Sequence, residues 1–206
     1  MHTLRNTPRR ILLLVAIWLF LLGVGSWKVA QYATQPGAAA PVSTGWPRHS
    51  SLLFSNLKYN LLVFVHPECP CSEATIAELA SLQPQLASST KISVVFVRPA
   101  GYSSEIEKSS LWQLASTLKN TTLKIDENGE EALNFATKTS GQVLLYSATG
   151  QLQFRGGITA ARGHRGENLG SLSIISLVSG HKAVAESTRV LGCSLVNPER
   201  KIAGQL

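Results

Sequence analysis

The run Leu57 to Val65, LKYNLLVFV, leads directly into HPECPCSEAT, and no other junction constrains the fold so tightly. Its apolar stretch LLVFV has the length and the β-branched and aromatic content of a central strand. Pro67 forces extended geometry on His66 and closes the strand. A helix is expected to begin near Cys71 or Ser72. Ile76, Leu79, Ala80, Leu82 and Leu86 supply its packing stripe, and Pro84 is expected to bend or end it.

The same pattern continues downstream. Lys91 to Arg98 reads as a second apolar strand and Glu105 to Thr117 as a second helix. Leu123 to Asp126 reads as a short strand, followed by an Asn128-Gly129 turn and helix from Glu130 to Lys138. Val143 to Tyr146 and Gln151 to Phe154 flank Ala148-Thr149-Gly150 as a hairpin. An apolar helix is expected from about Leu172 to Ala185, and the tail from Arg189 is irregular. Parallel strands joined by helices and followed by an antiparallel pair predict an α/β fold, a small mixed sheet flanked by helices. Asp126, Glu130 and Glu131 cluster where a turn meets a helix start, as capping and dipole effects favour.

Ahead of this domain lies RNTPRR-ILLLVAIWLFLLGVGSW-K. Its 17 uncharged residues, Ile11 to Trp27, reach the low end of what crosses a bilayer at about 1.5 Å per residue. The basic residues before the run favour a cytoplasmic N-terminus and an exported C-terminal domain. The expected organisation is a cytoplasmic tail (1–10), a transmembrane signal anchor (11–27), a linker (28–50) and the main domain with a C-terminal extension (51–206). A cleaved signal peptide is the alternative, although no clean A-x-A site follows closely. Both readings place the domain on the periplasmic or extracellular side of the cytoplasmic (inner) membrane, where disulfide chemistry is permitted. The lipid bilayer is then a partner through the N-terminal helix. Arg5, Arg9, Arg10 and Lys28 flank the run, leaving 15 basic against 12 acidic residues elsewhere, so the net charge of +7 is no nucleic-acid footprint.

Cys69, Cys71 and Cys193 are the chain's three cysteines, too few for a disulfide scaffold and odd in number. A thiol at a strand-to-helix junction meets backbone N–H groups that favour its thiolate. Cys69 and Cys71 lie among polar residues and prolines, which favours exposure. His66 adds a candidate proton acceptor three residues before Cys69.

The segment VFVHPECPCS, with TSGQVLLYSATGQLQFRGGIT downstream, resembles the thioredoxin-like superfamily, and more narrowly its membrane-anchored RedB-type proteins. The broader resemblance covers roughly residues 50–155. It implies a thioredoxin-like sheet and thiol-disulfide exchange with a protein thiol or disulfide partner, no cofactor being required. Cys69 matches the attacking cysteine of the superfamily's C-x-x-C pair, and Ser72 stands where the resolving cysteine would be. The pair is then shifted to Cys69 and Cys71, with Cys193 or a partner's thiol as alternatives for resolution. Gln142 stands where the superfamily carries a cis-proline. Such departures also suit a non-catalytic interaction domain.

FRGGITAARGHRGENLG is the second informative segment. Its glycines permit tight turns, and Arg162, His164 and Asn168 make it a candidate loop closing over the Cys69 site. A rival reading draws on the same residues: Cys69, Cys71, His66, His164 and Cys193 offer soft sulfur and imidazole ligands suited to copper(I) or zinc.

Overall fold

The computed structural model describes residues 7–40, 43–86, 88–102 and 105–195. Residues 1–6 of the expected cytoplasmic tail, and the C-terminal extension from 196 onward, lie outside them. The chain divides into two compact units, Met1–Gln35 and Pro36–Leu206.

The first unit holds one helix, α1 (Thr7–Thr34). Its 28 residues span about 42 Å at 1.5 Å per residue, more than the roughly 30 Å hydrocarbon core. The segment Arg9–Thr34 is long and apolar enough to cross a membrane, with a mean hydropathy of 2.1. The helix continues past the expected end at Trp27, since nothing in WKVAQYAT breaks it.

In the second unit the elements are β1 (Tyr59–Val65), α2 (Pro70–Leu86), β2 (Thr90–Arg98), α3 (Ser110–Ser116), β3 (Thr121–Glu127), α4 (Glu130–Asn134), β4 (Gln142–Ser147), β5 (Leu152–Gly156) and α5 (Leu169–Val178). The sheet order is β3-β2-β1-β4-β5. The first three strands are parallel, and β4 runs antiparallel to both β1 and β5. This is the thioredoxin-like mixed sheet flanked by helices that the sequence predicted.

Strand β1 is buried along its whole length because it feeds two cores. Leu61, Val63 and Val65 pack with Ile76 and Leu79 of α2, Leu111 of α3 and Ile174 of α5. Leu62 and Phe64 point the other way, toward Phe135, Leu144, Tyr146 and Leu195. Each such apolar side chain contributes roughly 1.5–3 kcal/mol on burial, so a continuous apolar run is what a strand covered on both faces requires.

Several boundaries differ from expectation. Pro84 lies inside α2, which runs on to Leu86. The second helix splits: a 3₁₀ turn at Ile106–Lys108 precedes α3, and the Ser109 hydroxyl caps α3 by accepting from the Trp112 N–H. α5 starts at Leu169 because Asn168 caps it through the Ser171 N–H, and it ends at Val178.

The expected linker 28–50 is no bare spacer. Its first residues are helical. From Gly37 on, the chain is bonded to the domain, by Gly37 N–H to the Val190 carbonyl (2.9 Å) and Trp46 N–H to the Gly150 carbonyl (2.8 Å). Trp46 stands edge-on to Phe54, Phe135 and Tyr146, with ring centroids 5.0–5.2 Å apart. Buried Asp126 accepts from the Glu131 and Ala132 N–H groups and so caps α4. Glu131 in turn accepts from Ser50 Oγ and Ser51 N–H, both at 2.7 Å. The acidic cluster is structural, as its position suggested.

Candidate functional site

Cys69 stands at the joint between β1 and α2. Pro70 is the first helical residue, where a missing N–H costs nothing and a fixed φ suits the helix. Cys69 therefore occupies the capping position, its carbonyl accepting the Ser72 N–H at 2.8 Å. Its sulfur meets the backbone N–H groups of Cys71 and Ser72, as a serine or aspartate oxygen would in that place.

The turn is pinned from below by two serines. Ser72 Oγ donates to the His66 carbonyl at 2.8 Å and bonds Ser140 Oγ at 2.7 Å. Ser140 Oγ also accepts the His66 N–H at 2.9 Å. Ser72 is fully buried in this network and locks the turn that presents Cys69.

The irregular tail comes back to this place. Ser140 N–H donates to the Cys193 carbonyl at 2.8 Å, and Leu195 N–H to the Lys138 carbonyl at 2.9 Å. Gly192 packs directly on the Ser140 carbonyl, where any Cβ would collide. The tail thus delivers Cys193 Sγ to 2.9 Å from Cys69 Sγ, closer than two unbonded sulfurs ordinarily pack and within easy reach of a disulfide. Cys71 completes the cluster, and the three sulfurs lie within 4.8 Å of one another.

This packing corrects the expected exposure of the first two thiols. Cys69 is 5% exposed and Cys71 7%, while Cys193 is only half-buried. The tail lies on one side, and the loop between β5 and α5 covers Cys71, with the Gly163 N–H donating to it. A groove of about 330 Å³ opens beside Cys69, between Pro67, Glu68, Pro70 and Glu73 on one wall and Leu111 and Leu114 of α3 on the other.

The three thiols are electrostatically unequal. Burial opposes ionisation at Cys69, but the Cys193 thiol and the N–H groups of Cys193, Cys71 and Ser72 outweigh it and hold Cys69 below the ordinary thiol range. Burial and the neighbouring Cys69 charge push Cys71 up, against a smaller opposing pull from Arg162. Cys193 is pushed up to about 12 by burial and by its hydrogen bond and charge coupling to Cys69. The first proton to leave the cluster is therefore the Cys69 proton.

His66 stands in the turn that presents Cys69, its backbone held by Ser72 and Ser140. Burial lowers its pKa, with Glu68 pulling the other way, and Nδ1 accepts the Glu68 N–H at 3.2 Å. Burial thus favours the neutral ring, the form that can accept a proton. His164 is exposed, and its Nδ1 is bonded to the Arg162 carbonyl at 2.7 Å. The parts of that loop acting on the thiols are Arg162 and the Gly163 backbone. Asn168 caps α5 and bonds the Ile158 carbonyl at 3.0 Å, holding the loop's far end.

Gln142, at the superfamily's cis-proline position, pairs with Phe64 across β1 and β4. It lines a separate cavity of about 320 Å³ with Arg155, Thr188 and Arg189. Gly141 precedes it at φ +87°, a conformation that an L side chain rarely adopts, and a Cβ there would press on Thr75 Oγ1. Sequence reading missed Ser140. Only its place two residues before the strand opposite Cys69 hints at its role.

No family model and no curated protein sequence matches the chain. Solved structures do. An uncharacterized conserved protein from Geobacillus kaustophilus superposes with a TM-score of 0.57 at 17% identity, covering 80% of this chain and 93% of that one. A hypothetical protein from Sinorhizobium meliloti 1021 gives 0.55 at 15% identity, over 79% and 94% of the two chains. A thioredoxin-like protein from Aeropyrum pernix gives 0.45 at 11%, over 75% and 95%. At these identities the first two establish a likeness of fold. The narrower RedB-type resemblance rests on the sequence segments alone.

Proposed function

We propose that this chain is a membrane-anchored thiol-disulfide oxidoreductase of the exported side, with Cys69 as the attacking thiol and Cys193 as the resolving one. The observation that carries the reading is the 2.9 Å approach of Cys193 Sγ to a Cys69 held at a helix start. Cys71, the resolving residue expected from the C-x-C spacing, also bonds the Cys69 thiol and lies in the same cluster, but the 2.9 Å approach belongs to Cys193. Arg9 and Arg10 in the first turns of α1 support export of the second unit.

In the forward direction the Cys69 thiolate attacks one sulfur of a partner protein's disulfide. The partner S–S bond breaks, a Cys69–partner disulfide forms, and the partner's other sulfur leaves as a thiolate that takes up a proton. Cys193 then gives up its proton and attacks Cys69 Sγ. The Cys69–Cys193 bond forms, and the partner's second thiol is released. Two electrons pass from the chain's thiols to the partner, and the reverse sequence oxidises a partner dithiol. The groove beside Cys69 has room for the extended segment that carries the partner's sulfur, with Leu111 and Leu114 as its apolar wall.

The test is mass mapping of the full-length protein in detergent, equilibrated across thiol/disulfide buffers. A reversible Cys69–Cys193 disulfide, together with loss of exchange in Cys69→Ala, is expected. Full exchange activity in Cys69→Ala would overturn the reading.

A further inference from the structure

Thiol exchange uses two of the three thiols, and the third lies in the same cluster. All three sulfurs fall within 4.8 Å of one another and come from two distant parts of the chain. Cys69 and Cys71 sit at the start of α2, and Cys193 is carried in by a tail tied to Lys138 and Ser140.

We infer that Cys69, Cys71 and Cys193 form a copper(I) site with three sulfur ligands and no histidine. The chemistry favours that ion. Thiolates are soft donors that select copper(I), which three sulfurs can satisfy, whereas structural zinc sites take four protein ligands. Among the described residues no histidine or carboxylate joins the three sulfurs in one ligand group. Neither His66 nor His164, the two imidazoles expected as ligands, places a ring nitrogen in the group that the three sulfurs form.

Charge is partly offset locally. Three thiolates around one monovalent ion carry a net charge of about −2. The Arg162 guanidinium lies near enough to act on both Cys71 and Cys193, and the Gly163 N–H donates to the Cys71 sulfur. The half-buried Cys193 side leaves an entry path to an otherwise covered cluster. Binding displaces the thiol protons and moves no electrons: three S–Cu bonds form and copper stays copper(I). Because Cys69 and Cys193 serve both roles, a Cys69–Cys193 disulfide and a bound ion exclude each other.

The experiment titrates the full-length reduced protein, in detergent and without oxygen, with copper(I) against a chromogenic copper(I) chelator, and separately with zinc(II). X-ray absorption on the copper-loaded wild type counts the scatterers. One copper(I) per chain with a sulfur-only shell is expected. Cys71→Ser, Cys69→Ser and Cys193→Ser should each weaken binding by more than the roughly 10- to 100-fold typical of losing an outer-shell partner. His66→Ala and His164→Ala should leave it unchanged. Cys71→Ser separates this inference from the redox reading, since it should lose copper yet still form the Cys69–Cys193 disulfide. A nitrogen scatterer, undiminished copper affinity in Cys71→Ser, or tighter retention of zinc than of copper would overturn the site. The wild-type scatterer count stands even where a variant fails to fold.

Discussion

Cys69 and Cys193 are 124 residues apart in the chain, yet their sulfurs lie 2.9 Å from each other. Two independent structures bring them there. A proline-started helix fixes Cys69, and a tail strapped to residues 138–140 fixes Cys193. The relationship makes the site depend on the tail as much as on the first turn.

Reactivity toward an alkylating reagent should follow the inequality of the three thiols. At neutral pH under reducing conditions, iodoacetamide is expected to label Cys69 first and Cys71 and Cys193 slowly. Ionised Cys69 receives hydrogen bonds, while burial and the Cys69 charge oppose ionisation of the other two. Cys193→Ala removes the side-chain donor to Cys69 and should slow its labelling, as read by peptide mass spectrometry over time. Equal labelling of all three thiols would remove the basis for Cys69 as the attacking residue.

Gly192 tests the tail's part in the site. A Cβ at this position meets the Ser140 carbonyl, which cannot swing aside because its residue also holds the His66 turn. Gly192→Ala is expected to cost about 1–3 kcal/mol of overpacking, or to lift the tail and carry Cys193 away from Cys69. The second outcome leaves the melting temperature nearly unchanged while the Cys69–Cys193 disulfide forms far more slowly. A variant with wild-type stability and a wild-type disulfide rate would show that the tail is not held where the structure puts it.

What was legible in the sequence was local. The β1 run, the Pro67 stop, the hairpin at Gly150 and the acidic cap at Asp126 each depend on neighbouring residues, and each is found. The position of Cys193 was not legible, because the strap at Ser140 and Lys138 has no periodicity or turn signature to reveal it. For the same reason the first-turn cysteines read as exposed when they are covered. The loop after β5 reads as a candidate closure over the Cys69 site through Arg162, His164 and Asn168; of these, Arg162 acts on the thiols and His164 is exposed. The Gly163 N–H also bonds Cys71, and backbone groups leave no mark in a sequence.

Asp126 gives a pH dependence whose sign can be worked out. Its carboxyl is buried, and burial raises its pKa above the ordinary carboxylate range. The Glu131 and Ala132 N–H groups pull it down, and the Glu131 and Glu130 charges add to the rise. A carboxyl with its folded pKa above its unfolded value holds more protons in the folded state. Its contribution to stability therefore falls as pH rises through the window between those two values, and is most favourable below it. Asp126→Asn removes that slope and leaves one of the two α4 N–H groups without its oxygen, at a cost of about 1–3 kcal/mol. The gap between wild type and variant should widen as pH is lowered from 7 toward the ordinary carboxylate range, followed by urea denaturation at a series of pH values. A gap that narrows on acidification would mean that the folded pKa is depressed.

The anchor and its direction make the final prediction. A 28-residue helix with Arg9 and Arg10 in its first turns carries more positive charge before its apolar run than after it, where Lys28 stands alone, and the positive-inside tendency retains the more basic end in the cytoplasm. The thiols should then lie across the membrane from the N-terminus. A membrane-impermeant maleimide added to intact cells is expected to reach the cysteines once they have been reduced and the buried pair exposed by mild denaturant. A single cysteine placed at Thr3, in a variant lacking the other three, should stay unlabelled until the cells are lysed. Labelling at position 3 in intact cells would invert the topology and place the cysteine cluster in a reducing compartment, where a disulfide cycle with exported proteins has no substrate. The helix itself is tested by alkaline extraction of membranes: a spanning anchor stays in the pellet, and a chain cleaved after the apolar run is released.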